Sequence, residues 1–497
     1  MIAVVSRNIL ANVAGTGLGI VVFLAVVPIY LRLLGAEAYG LIGLLTTVMI
    51  AATALDLGLG ATMNREVARR TARRASGADF PDVAVTLEAA CWAVGLTAGL
   101  IFIAMAPWLA TRWLTFSTLT TAEVRSALWL IGMTLPALVV RGFYMAALNG
   151  LQRQVLSNLV QASGILIRGA VTIAALQFVA ATITVFFVTQ CFLFFVEVAV
   201  LAVALRVSLP VAARRGRVRL ATIRPVLAFS AGMAGTMVLG FALTSMDQLI
   251  LIALLPLSEF GYYTLAVTVA AALGQVVRPV TTAVYPRFSQ LFERGDAQVA
   301  AADYHFFSQL VATVVLPLAA LLIFFPADVL ALWTRDAELV RHAALVLSLR
   351  TVGTVINALM HVPHVVQLAF GWSTLGASLN AVAFLAITPV IVTLSWLWGG
   401  TGAAVAWIIL NLGVLLIGMA RMHRRVLPGE LLRWYRHLLP PTAAVATVGV
   451  LARATMPETL GTAAQLGWMA AAGILAMVAA VSVATTVRRR VATARLA

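Results

Sequence analysis

Lysine is absent from all 497 residues, and charge of either sign is scarce, at 10% of the chain. A soluble domain carries roughly 25% charged residues, so an ordinary water-facing exterior is excluded. A chain that is 62% hydrophobic, with mean hydropathy +1.01, can hide so much apolar surface only where its exterior meets lipid. Cysteine is nearly missing too. Cys91 and Cys191 both fall inside apolar runs and read as small buried hydrophobes rather than as a disulfide framework. Long polar stretches are lacking: the longest lie around 63–82 and 206–222, too short to fold as domains. The phosphate-cradling G-x-x-x-x-G-K, the H-E-x-x-H helix and the G-x-S-x-G elbow are all absent. No enzyme activity, cofactor or metal is therefore expected. His361 and His364 stand three apart without an evident third ligand. With no nucleotide site, energy for any transport must come from an ion gradient, the membrane potential or consumption of product.

What the chain has is apolar runs of spanning length, about 20 residues. They lie near 9–34, 39–62, 83–109, 122–148, 156–179, 181–205, 223–254, 259–289, 303–326, 339–369, 371–397, 400–421, 436–453 and 462–487. The first is too long for a signal-peptide core of about 7–15 residues. Prolines inside the runs (Pro28, Pro136, Pro279, Pro286, Pro317, Pro363 and Pro389) predict kinks. Arginine sets the orientation, because short cytoplasmic loops collect positive charge. With the N-terminus inside, 24 of the 34 arginines fall on inner segments and 6 on outer ones. One helix more or fewer would put basic loops on both sides, so the even count and both termini in the cytoplasm support each other. The net charge of +16 is thus topology and not a nucleic-acid face.

The chain also carries a weak internal repeat. Tyr39-Gly40 opens the second run and Phe260-Gly261 the eighth, each after a short turn containing a glutamate, Glu37 or Glu259. At the same offset Asn64-Arg65 falls over Tyr285-Pro286. Basic loops at 206–224 and 421–436 close two six-helix halves of like polarity, as repeated transporters do. The expected division is 1–222 and 223–425 as six-helix lobes, then 426–497 as two further helices and a basic tail.

One string is distinctive: Arg7-Asn8, Asn12, Gly15, Pro28, Leu34-Gly35, Tyr39-Gly40-Leu41, then Leu55-Asp56-Leu57-Gly58-Leu59-Gly60 and Arg65. Asp247-Gln248, Phe260-Gly261-Tyr262 and Tyr285-Pro286 agree with it in the second half. The pattern resembles the polysaccharide-repeat (O-antigen, Wzx-type) flippases of the multidrug/oligosaccharidyl-lipid/polysaccharide (MOP) exporter superfamily. The resemblance implies an all-α membrane fold, MATE/MOP-like, with two six-helix lobes around a central cavity and two C-terminal helices. It implies alternating access in a bacterial inner membrane, carrying an undecaprenyl-pyrophosphate-linked oligosaccharide to the periplasmic leaflet. Membrane lipids, a polysaccharide polymerase and glycosyltransferases are the expected partners.

Ionisable groups at membrane depth are costly and usually face a cavity or a partner. Four arginines lie there: Arg141, Arg168, Arg278 and Arg350. Guanidinium suits a pyrophosphate, which it grips through paired hydrogen bonds while staying charged, so these four are the candidate headgroup ligands. The alternative is that each pairs with a carboxylate for packing alone, for example Arg168 with Glu197. Asp247, Glu197 and Asp56 are candidates for ion coupling, against ion pairing for the first two and helix capping or a salt bridge to Arg65 for Asp56. Amides such as Asn357 and Asn411 suit sugar hydroxyls but also serve as interhelical glue. Three other functions compete: a lipid II flippase of the MurJ type, a drug/cation antiporter, and a membrane polysaccharide polymerase or ligase. The last needs a sizeable outer loop, which the chain lacks.

Overall fold

The computed structural model describes residues 2–73, 80–209, 216–457 and 460–496, and they are helical almost throughout. An isolated bridge between Thr115 and Pro256 is the sole β pairing among the described residues. Hydrocarbon cannot solvate a backbone, so a chain this apolar must satisfy its peptide groups within helices.

Eleven helices among the described residues are long and apolar enough to cross a membrane. Two of them break at a glycine of positive φ. Helix α1 (Ile2–Leu55) holds Gly35 at φ 82°, where only glycine sits without strain, and so contains the first two expected spans. A later helix, Ser373–Gly413, breaks at Trp398 and Gly399, the latter at φ 55°, and contains the eleventh and twelfth. Counted by halves, eleven becomes thirteen. The helix Leu431–Ala454 supplies the fourteenth, although its arginines and Pro440-Pro441 dilute the apolar run. The chain is a multi-pass, all-α membrane protein.

By compactness the chain divides into Met1–Gly261 and Tyr262–Ala497. The first unit holds α1, α2 (Leu59–Arg73), α3 (Phe80–Trp108), α4 (Thr121–Gly150), α5 (Gln154–Phe178), α6 (Ile183–Ser208), α7 (Leu220–Leu254) and the start of α8 (Leu257–Arg294). Its centre is α4, which packs against α1, α2, α3, α5 and α6. A capping box starts α4: the Thr120 hydroxyl accepts from Glu123 N at 3.3 Å, and Glu123 accepts from Thr120 N at 2.8 Å, a cap worth about 1 kcal/mol. The seventh helix packs on α1, α2 and α3, which is why compactness divides after Gly261 whereas helix counting divides at 222. The matched repeat segments meet each other inside this unit. A Cβ on Gly40 would lie 2.1 Å from the Leu257 carbonyl oxygen, and one on Gly261 would lie 2.8 Å from that of Ala36. The offset of 221 maps Ala36 onto Leu257 and Gly40 onto Gly261, so the contact is reciprocal.

The second unit continues α8 and adds α9 (Ala297–Phe324), α10 (Pro326–Thr334), α11 (Ala337–Leu359), α12 (His361–Ala369), α13 (Ser373–Gly413), α14 (Met419–Val426), α15 (Leu431–Ala454), α16 (Thr462–Val483) and α17 (Thr485–Leu496). Its centre is α9, touched by α10, α11, α12, α15, α16 and α17. Trp434 and Val445 of α15 and Ala476 of α16 share one hydrophobic core with Val277 and Phe288 of α8 and Val311 of α9.

Two spans differ from expectation. The second ends at Leu55 and not near 62, because Leu57 (φ 50°) and Gly58 (φ 74°) turn the chain left-handed and α2 starts afresh. The tenth divides at Met360 into α11 and α12. Pro363 lacks the N–H that would bond Leu359, so the ladder ends there. At Pro28, Pro136, Pro279, Pro286, Pro317 and Pro389 the helices continue through.

Candidate functional site: an arginine pair on one carboxylate

Three helices of the first unit bring charge together at mid-length. Arg168 lies fourteen residues past Gln154 on α5, and Glu197 fourteen past Ile183 on α6, each roughly 21 Å along its helix. Arg141 lies nine residues before Gly150 on α4, roughly 14 Å from that end. Arg141 Nε donates to Glu197 Oε1 at 2.7 Å, and Arg168 Nη1 donates to Glu197 Oε2. The side chains are 16%, 10% and 3% exposed for Arg141, Arg168 and Glu197. The Arg168 guanidinium also lies over the Phe194 ring, 4.3 Å from its centre, one turn from Glu197 on the same helix.

Gly164 makes room for this arrangement. A Cβ there would come within 3.0 Å of Glu197 Oε2 and 3.3 Å of Arg168 Nη1. On the next turn of α5, Thr172 accepts from Gln190 Nε2 at 3.2 Å and is hydrogen-bonded to the Tyr30 hydroxyl. Tyr30 packs edge-on to Phe186. An aromatic and hydroxyl shell thus surrounds the α5 and α6 charges.

The electrostatic consequence is simple. Guanidinium stays protonated in proteins, so two cations share one carboxylate and the cluster carries a net charge of +1. A buried uncompensated charge costs several kcal/mol. Among the described residues Arg141 donates through Nε alone and Arg168 through Nη1 alone, out of five N–H groups each. The cluster has both the charge and the spare donors to take an anion.

The other candidates sit elsewhere. In the first unit both oxygens of Asp56 accept from Gly60 N at 3.0 Å, and Cys91 Sγ lies 3.8 Å from Oδ1. Asp56 therefore caps α2. Asp247 is buried on α7, next to Gln248, whose Oε1 accepts the Thr47 hydroxyl. In the second unit Arg278 is exposed and donates to Gln275 Oε1 at 3.1 Å. It lies 21 residues into α8, roughly 31 Å along, far enough for its long side chain to reach a membrane edge. Arg350 is buried on α11, its guanidinium 4.1 Å over the Trp407 ring of α13. Trp407 Nε1 donates to Thr354 at 3.3 Å, and Asn357 Nδ2 to Asn411 Oδ1 at 2.8 Å, so these amides bridge α11 and α13.

A second charge cluster was not anticipated from sequence. Asp303, at the start of α9, accepts from Arg287 of α8 and from Arg490 of α17. Six residues on, Gln309 accepts from Thr486 N at 2.8 Å and donates to the His437 carbonyl at 2.9 Å. His305 pairs with Glu430 at 2.7 Å, and Tyr304 meets His423 at 3.0 Å. Burial alone would raise the Glu430 carboxyl; the His305 hydrogen bond and the Arg433 charge outweigh it and hold it below the ordinary carboxylate range. The available signal was the polar run Asp303-Tyr304-His305 at the head of an apolar helix. Glu37 was read in sequence only as part of a repeated turn. Its carboxylate accepts from the backbone N–H groups of Ser117, Thr118 and Leu119 at 2.6, 2.8 and 3.0 Å, fastening the α1 turn to the segment before α4.

The chain matches no curated protein. Its fold is shared with solved transporters. The lipid II flippase MurJ, in an inward closed conformation, aligns with TM-score 0.65 and 12% identity over 90% of this chain and 96% of its own. An inward-facing multidrug resistance MATE family transporter of the MOP superfamily aligns with TM-score 0.62 and 13% identity over 83% and 94%. A MOP superfamily transporter from Pyrococcus furiosus aligns with TM-score 0.59 and 15% identity over 86% and 96%. In sequence, residues 5–292 of the 497 match the family described as polysaccharide biosynthesis protein. With the MOP transporter fold and a family match over more than half its length, this chain belongs to the polysaccharide biosynthesis protein family.

Proposed function

We propose that the protein is a flippase that carries an undecaprenyl-pyrophosphate-linked oligosaccharide from the cytoplasmic to the periplasmic leaflet of a bacterial inner membrane, by alternating access, for polysaccharide assembly. The observation that carries the reading is the Arg141–Glu197–Arg168 cluster, buried at mid-helix with a net charge of +1. A lipid pyrophosphate is the kind of dense anion that two guanidinium forks hold, while its polyprenyl tail stays in hydrocarbon. Arg350 and Arg278 are proposed as further headgroup contacts, and Asp247 as a coupling site. The arginine bias puts both termini in the cytoplasm, with glycosyltransferases upstream of the flip and a polymerase downstream.

The long alignment with MurJ makes a lipid II flippase the second reading. Both substrates present a pyrophosphate, so the cluster fits either, and they differ in the sugar. The test is deletion of the gene, followed by an assay of which lipid-linked glycan accumulates on the cytoplasmic face. Accumulated polysaccharide repeat unit supports the proposal, accumulated lipid II supports the second reading, and normal delivery of both overturns the flippase reading.

A further inference from the structure

The stoichiometry of the cluster supports a step beyond substrate binding. We infer that Glu197 is a resident counter-anion: it occupies the place of the substrate's phosphate on Arg141 and Arg168, yields it when the lipid pyrophosphate binds, and reclaims it to drive release. The inference rests on the proposed flippase function and adds how the same site lets its ligand go.

Three observations point this way. Each Glu197 oxygen takes one guanidinium, Oε1 from Arg141 and Oε2 from Arg168, which is how two oxygens of one phosphoryl group would sit between the same forks. The contacts come from three helices, so exchanging one anion for another leaves α4 and α5 joined through the newcomer while α6 is let go. Gly164 gives the carboxylate its seat against α5, since a Cβ there would lie 3.0 Å from Glu197 Oε2, so the hold of Glu197 on the two arginines depends on room that a single methyl group would take away. The chemistry supplies the need. Two guanidiniums in a low-dielectric setting bind a diphosphate tightly, and a transporter that binds too tightly does not turn over. A carboxylate on a neighbouring helix competes for the same donors and limits that affinity. Tyr30, which approaches Arg168 from α1, and the Phe194 ring under Arg168 keep that guanidinium aimed as the anions exchange.

The inference separates from a purely structural ion pair by the direction of the change in affinity. The test uses the full chain in nanodiscs, with undecaprenyl pyrophosphate as the probe for binding and a lipid-linked oligosaccharide for flipping. Glu197→Gln removes the competing charge while keeping the shape. The expected result is probe binding about tenfold tighter than wild type, with a lower maximal flipping rate and a lower half-saturation, and partial return of the rate in Glu197→Asp. Gly164→Ala keeps every charge and crowds Glu197 off its seat. It is expected to tighten binding by a smaller factor, and it carries the test if Glu197→Gln does not fold. Wild-type protein that binds no probe overturns the flippase reading itself. Wild-type binding with equal or weaker affinity in folded Glu197→Gln, or in Gly164→Ala when Glu197→Gln is unfolded, overturns the counter-anion role and leaves the flippase reading standing.

Discussion

Each unit contains a carboxylate held by two arginines, and the two differ in where the cations end. In the first unit Glu197 takes Arg141 and Arg168, whose side chains are 16% and 10% exposed. In the second, Asp303 takes Arg287 and Arg490, which are 47% and 44% exposed. The acids are equally buried. At Asp303, water reaches the surplus charge and the group acts as a clasp, tying α8 and the C-terminal helix α17 to α9. At Glu197, water barely reaches it, so the surplus remains available to an anion. The same stoichiometry gives a fastening where the cations are wetted and, in the proposed reading, a binding site where they are buried.

The sharpest way to break that comparison is to remove one cation from each cluster. Arg168→Gln is expected to lower delivery of lipid-linked oligosaccharide at least a hundredfold in cells while the protein still inserts, because a transition between leaflets loses a charged hydrogen bond worth about 1.5–3 kcal/mol and a cation with it. Arg490→Gln, measured in the same complementation assay, is expected to stay within about twofold of wild type, since exposed ion pairs contribute about 0–1 kcal/mol. Equal loss in both variants would erase the distinction.

Removing the acids tests stability instead. Glu197→Gln leaves two guanidiniums facing each other in a dry setting and is expected to cost about 3–5 kcal/mol, read as a fall in unfolding temperature in detergent. Added undecaprenyl pyrophosphate is expected to restore more of that loss than it adds to wild type, because a ligand stabilises in proportion to its affinity. Asp303→Asn is expected to cost about 1–2 kcal/mol, with faster tryptic cleavage within Arg488–Arg490 as α17 loosens.

A smaller effect tests how the second unit holds its buried cation. Trp407→Leu removes the aromatic face under Arg350, expected to cost about 0.5–2 kcal/mol plus the packing that Gly353 makes against the indole, measured by thermal unfolding. The smallest is a pH effect. The Glu430 carboxyl titrates below its ordinary value in the folded chain, so its pairing with His305 stabilises the second unit above the unfolded-state pKa and is lost as pH falls through the folded one. Glu430→Gln is expected to flatten the acid limb of the unfolding temperature as pH falls below the ordinary glutamate value of about 4.3.

Much of this molecule was legible in the chain. The breaks at Gly35 and Gly399 fall in the short gaps left between apolar runs, after residue 34 and after residue 397. The end of the second span was misjudged because apolar Leu57 and Leu59 hide the turn that Asp56 and Gly58 make. Of the candidate residues, Arg168 and Glu197 were paired in advance only as a packing alternative. Arg141 joins them across 56 residues, a separation in which no spacing rule operates. Asp303 was not singled out at all, because its partners are Arg287, a neighbour in sequence, and Arg490, near the other end of the chain.

Hydropathy is a local sum, and that is why sequence alone determined the solvent of this protein and its succession of membrane-spanning helices. Which charges meet depends on how each helix is rotated and how closely its neighbours approach, and small residues such as Gly164 decide that only once the helices are packed. The cluster of two cations on one anion, and the contrast between its buried and its wetted form, belong to the tertiary structure.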